Sequence, residues 1–235
     1  MESQETPRSQ AFDLLATGNL STAVAAITAM ADTQAALESL ARLCTRAYRD
    51  LKSVPTLTGL AWEAIGFALQ CAAASPDPKA TGRYKDRARA IAYNAAANCW
   101  PGWGDAVVIQ PLDIAQGLKL AERSYELVEE LGLGDKASAT SLWLVGALQM
   151  AAGRLSTAIA QFLRAEEAFQ RAQLPVQATM ARGYVALAEK ALPESQLRGA
   201  ESLAAILRSL RGMDSREAQF FADQLHTADR IFSSR

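Results

Sequence analysis

The chain has 235 residues, half of them hydrophobic and 21% charged, with a formal net charge of −1. That length and apolar content suit a buried core rather than wholesale disorder, and the near-neutral charge argues against a dedicated nucleic-acid binder, which needs a basic excess to neutralise phosphates. Cys44, Cys71 and Cys99 are isolated thiols without CxxC spacing, which points to small buried residues in a reducing, cytoplasmic setting and not to a disulfide framework or zinc site.

The opening MESQETPRSQ is polar and acidic and lacks the basic patch and apolar core of a secretory signal; residues 1–6 are expected to be disordered. Helical stripes follow one another from there. Leu20, Ala23, Val24 and Ile27 form one, and Leu37, Leu40, Cys44, Ala47, Tyr48 and Leu51 the next. Residues 56–75 carry only Glu63 as a charge and reach the roughly 20 residues of a membrane span. Gln70, the many small residues and the amphipathic neighbours favour a buried helix of a soluble protein. In RYKDRAR, Arg83, Lys85, Arg87 and Arg89 surround Asp86 at an expected helix start. Cations there oppose the helix dipole, so the run reads as either a solvated face or a patch for an acidic partner.

Residues 100–111, WPGWGDAVVIQP, form the longest irregular stretch, with Pro101–Gly102 expected as a type II turn. Trp100 and Trp103 either plug a gap between helices or close a ligand site. Ile114, Leu118, Ala121, Tyr125 and Val128 resume the helical stripe, followed by Leu155, Ala158, Ile159, Phe162 and Phe169. A last helix over 215–232 sets Phe221, Leu225, Ala228 and Phe232 opposite Arg216, Asp223 and Arg230, as a terminal cap would. Breaks at residues 17–19, 31–33, 54–55, 75–82, 100–104, 132–135, 153, 175, 193–195 and 212–214 separate about eleven helices. Short links make consecutive helices antiparallel neighbours, and residues 7–235 read as a single domain.

Two segments are near copies. GNLSTAVAAI begins at Gly18 and GRLSTAIAQF at Gly153, 135 residues later, and they share six of ten residues. Each Gly can take the left-handed conformation that ends a helix, Asn19 is a good N-cap and Arg154 a poor one. Ala23 and Ala158 admit a close neighbour, with Ile27 and Phe162 filling the next turn. Around the second copy, Leu142, Val145, Gly146 and Gln149, then Gly153, Ala158, Phe162 and Ala165, resemble a tetratricopeptide repeat, with Trp143 one place late. Trp62, Ile65, Gly66 and Leu69 are similar to the same first-helix signature, and Gly82, Tyr84 and Ala88, or Ala121, Tyr125 and Val128, to its second helix. The match is specific over residues 139–173 and degenerate elsewhere. A spacing of 135 fits four repeats of about 34 residues or three of about 45. The resemblance implies an all-α fold, a right-handed superhelix of antiparallel helix hairpins: a tetratricopeptide-like α-solenoid.

Chemistry is sparse. His226 is the one histidine and stands on the terminal helix without an evident partner, so no catalytic triad is expected. No phosphate-binding glycine loop and no metal-ligand spacing occurs, and Glu129–Glu130 and Glu166–Glu167 read as solvated pairs. No catalysis, cofactor, metal or membrane role is expected. In the family resembled, the first helix of each hairpin lines a concave groove. The resemblance therefore implies a partner-binding groove of Thr140, Trp143, Ala147 and Met150, continued by Arg182, Val185 and Glu189. Trp and Met in place of basic and Asn residues imply a protein or peptide with an apolar portion. An adaptor is the expected function. The alternative is a small-molecule-sensing module whose pocket the Trp100 and Trp103 loop closes.

Overall fold

The computed structural model describes residues 5–233, which form eleven α-helices, one 3-10 turn and no strand. Of the expected disordered N-terminus, residues 1–4 lie outside the described residues, while Glu5 and Thr6 open the first helix. The stretch read as one domain over 7–235 falls into two compact units. One is the described part of Met1–Cys99 with Val107–Leu131; the other is Trp100–Ala106 with the described part of Gly132–Arg235.

The first unit holds α1 (Glu5–Ala16), α2 (Leu20–Thr28), α3 (Thr33–Arg49), α4 (Val54–Ala74), α5 (Pro78–Ala97) and α6 (Pro111–Leu131). Side-chain caps set several starts. Asp32 accepts from Gln34 N and Ala35 N, Ser53 from Thr56 N, and Asp77 from Lys79 N and Ala80 N. Because Asp77 caps and Pro78 fits a first turn, most of the connection expected over 75–82 is helix. The basic run thereby moves to the second turn of α5 and beyond. All four of its cations are paired: Arg83 with Asp77, Lys85 with Glu130, Arg87 with Glu38 and Arg89 with Asp86. By length and composition α4 could cross a membrane; nine of its residues are buried, with α2, α3, α5 and α6 packed against it.

The second unit holds the 3-10 turn at Pro101–Trp103 and α7 (Asp135–Ala151), α8 (Leu155–Arg171), α9 (Pro175–Lys190), α10 (Gln196–Arg211) and α11 (Arg216–Ser233). Successive helices pack on one another, and α9 also touches α7 and α11. Gly146 sets the spacing of the α7–α8 hairpin: a Cβ there would lie 2.8 Å from Phe162 and 3.3 Å from the Ala158 carbonyl. Phe162 and Ala158 are fully buried. At Gly66, the other residue aligned with that signature, a Cβ would meet nothing within 4 Å.

The twin decamers share one local geometry. Gly18 and Gly153 have φ of +84° and +76°, and Asn19 and Arg154 have φ, ψ of −90°, 60° and −90°, 63°. In both corners the glycine N–H bonds a carbonyl three residues back and the next N–H one five residues back, at Leu15 and Leu14 or at Met150 and Gln149. That is the Schellman pattern. Asn19 does not cap with its side chain, which donates to Thr17 Oγ1 instead. The same corner recurs between α8 and α9. There Gln173 takes the left-handed position at φ +58°, and the Gln173 and Leu174 N–H groups bond Gln170 O and Phe169 O.

Candidate functional site

Helices α8, α9 and α10 enclose an open trough of roughly 310 Å³. Ile159 and Leu163 of α8 form one wall, Ser202 and Ile206 of α10 the other, and Val185 and Ala186 of α9 the floor. Leu163 is 39% exposed, high for a leucine on a packed helix. A second depression of roughly 380 Å³, lined by Glu166, Gln170, Pro175, Ala178 and Thr179, shares Arg182 with the first. On α9 the lining positions 175, 178, 179, 182, 185, 186 and 189 repeat at helical spacing. The two depressions therefore follow one face of that helix for about 21 Å at 1.5 Å per residue.

Two ion pairs cross the seams of the trough. Arg182 Nη1 donates to both carboxylate oxygens of Glu166, each at 3.1 Å. Arg198 Nη2 donates to Glu189 Oε1 at 2.9 Å. The acids are the covered members, at 12% and 21% exposure, while the guanidinium side chains stand 57% and 71% exposed. The polar groups facing solvent along the trough are thus chiefly cationic.

The sequence-derived groove residues are split by the fold. Arg182, Val185 and Glu189 line the trough. Trp143, Ala147 and Met150 on α7 are buried, and partly covered Thr140 donates its hydroxyl to Lys136 O. The whole span 141–150 is buried, so α7 lacks the exposed stripe a first-helix groove requires. The tetratricopeptide resemblance points to first helices only and so gives no sign of Ile159, Leu163, Arg198 and Ile206 as lining residues. A signal existed: Leu163 stands off the Ala158, Phe162, Ala165 and Phe169 stripe that α8 buries.

Trp100 is fully buried and Trp103 partly so. With Trp143 and Tyr184 they form an edge-to-face cluster, with centroids 4.8 Å apart for Trp100–Trp103, 5.6 Å for Trp100–Trp143 and 5.3 Å for Trp143–Tyr184. The indole N–H groups of Trp100 and Trp143 and the Tyr184 hydroxyl have no hydrogen-bond partner. Burial pushes the Tyr184 hydroxyl well above its usual pKa. The expected type II turn at Pro101–Gly102 is instead a 3-10 turn with Gly104 at φ +74°. A Cβ on Gly102 would overlap the Trp100 ring, so ring packing sets the turn.

His226 is exposed. Among the described residues no group of three or more His, Cys, Asp or Glu side chains is arranged to hold a metal ion. Burial raises the Cys44 thiol to about 12, and burial with the Asp113 charge raises Cys99 to about 12. A small apolar cavity of roughly 120 Å³ lies in the first unit beside Ile27, Leu43 and Arg46. The Arg46 guanidinium there stacks 3.3 Å from the Phe12 ring centroid and pairs with Asp50.

Among the described residues the fold defines the class: eleven helices and no strand, with neighbouring helices inside each unit packed on one another, compatible with a helical-repeat protein. No protein-family description and no curated protein matches the chain. Among solved structures it is similar to one described as "Computational Design of Self-Assembling Cyclic Protein Homooligomers". Identity is 16%, the TM-score 0.36, and the match covers 99% of this chain and 94% of that one. A likeness of that degree assigns neither family nor function.

Proposed function

We propose that this chain is a cytoplasmic, non-catalytic adaptor of tetratricopeptide-like type, and that it binds a polypeptide segment in the trough of α8, α9 and α10. The observation carrying this reading is the pairing of an apolar floor and walls with an open, polar-rimmed surface, the make-up of a recognition groove. The tetratricopeptide resemblance and the Gly146–Phe162 approach support the repeat assignment for the α7–α8 hairpin. The groove proposed from sequence is kept on α9 and transferred from α7 to α8 and α10.

The test is affinity capture from lysate with the native chain and with Leu163→Glu and Ile206→Glu variants, with Val108→Glu as a control. Val108 is 72% exposed and lies in the first unit. A partner retained by the native chain and the control but lost from both trough variants, with unchanged circular dichroism, supports the reading. A partner held equally by all four chains sinks it.

A further inference from the structure

We infer that this trough and the depression beside it accept an acidic amphipathic helix of about four turns. The inference rests on the adaptor reading above and adds the conformation and charge of the occupant. Its length follows from the lined face of α9, Pro175 to Glu189, which spans about 21 Å.

Helical conformation follows from what the surface offers. The walls and floor are α-helices, whose mid-helix N–H and C=O groups are consumed within each helix. Among the described residues no strand edge is present to which an extended peptide could add. Side-chain ridges on α8 and α10 flank the α9 floor, and ridges at three- and four-residue spacing accept another helix. The apolar contacts, Ile159, Leu163, Val185 and Ile206, ask for an aliphatic stripe on the incoming helix.

Charge follows from the asymmetry of the two ion pairs. Glu166 and Glu189 are covered by their partners, whereas Arg182 and Arg198 face solvent. A guanidinium carries five N–H donors, and each of these uses one nitrogen on its carboxylate. The unused donors point the choice toward carboxylates flanking the aliphatic stripe, which form charge-assisted bonds there. A basic helix would meet exposed like charge at both positions.

The test uses three synthetic peptides with leucines at i, i+3, i+4 and i+7 spacing along about 14 residues, the length that fills about 21 Å. The first has glutamate at the remaining positions, the second lysine, and the third is the glutamate peptide with a central proline. Binding is followed by fluorescence anisotropy and by amide shifts in the isotope-labelled full chain. The expected result is that the glutamate peptide binds with shifts confined to α8–α10. Arg182→Ala and Arg198→Ala should each weaken it about fivefold, as expected for exposed charge pairs, and added salt should weaken it further. Both arginines are exposed, and circular dichroism confirms that each variant is folded. Equal binding of the lysine peptide, insensitivity to both arginine substitutions, equal binding of the proline peptide, or no binding of the glutamate peptide each overturns the inference. If lysate capture still depends on Leu163 and Ile206 in such a case, the adaptor reading stands and only the acidic helix falls.

Discussion

Replacing Gly146 by alanine puts a methyl group 2.8 Å from two carbons of the Phe162 ring and 3.3 Å from the Ala158 carbonyl oxygen. The ring has little room to yield: it is fully buried and stacks 5.4 Å from Tyr184. Overpacking of this kind costs about 1–3 kcal/mol. Alanine returns about 1 kcal/mol of helix propensity, leaving a net loss of about 1 kcal/mol. Gly66→Ala is the counterpart, because a Cβ there meets nothing within 4 Å in the interior of α4. It should gain up to about 1 kcal/mol. The two variants should therefore move in opposite directions, separated by about 2 kcal/mol, or about 4–8 °C in Tm for a chain of this size. Urea unfolding followed by far-ultraviolet circular dichroism measures both. Equal shifts of the same sign would refute the close α7–α8 approach, and with it the proposed likeness of that hairpin to a tetratricopeptide unit.

Three other perturbations follow from the same packing. Trp143→Ala should destabilise by about 3–5 kcal/mol, since Trp143 is 5% exposed and touches Trp100, Trp103 and Tyr184. Trp143→Phe should cost clearly less, because it keeps a ring and removes an unpartnered N–H; thermal melts of the pair decide. Gln173→Gly should stabilise by about 1 kcal/mol by relieving a left-handed residue at φ +58°, whereas Gly153→Ala at φ +76° should lose about as much. Native thiol labelling should modify Cys71 readily and Cys44 and Cys99 only after unfolding, as their burial dictates. Cys44 and Cys99 keep their protons to about pH 12 in the fold, against 9.0 for the free thiol. The unfolded chain therefore releases them first, and stability should fall by about 1 kcal/mol per pH unit for each above pH 9, with no effect near neutrality. Urea midpoints across pH 8 to 11 for the native chain and for C44A/C99A give the measurement.

Helices and their ends were legible because the forces that make them are local. The stripes ending in Phe169 and Phe232 and the left-handed Gly18 and Gly153 each depend on neighbours within a turn or two. The same locality limits what the twin decamers mean. Their corner reappears at Gln173, only 20 residues after Gly153 and between α8 and α9 rather than within the α7–α8 hairpin. The geometry is thus a general way of turning between helices, and the decamer spacing alone does not fix a repeat length. The corner at Gln173 is not legible in the sequence because a non-glycine residue in that conformation leaves no compositional mark.

From its residues alone, the chain determined an all-helical architecture and the positions of most turns, since periodicity and capping act over a few residues. Tertiary structure decided which apolar side chains stay open to solvent. Leu163 and Ile206 stand on helices that do not follow one another, and only the packing of both beside α9 makes a trough of them. Trp143, which the tetratricopeptide resemblance offered as a contact residue, is enclosed by Trp100 and Tyr184, 43 residues before it and 41 after it. Burial depends on partners distant along the chain, and the spacing of one helix carries no information about them.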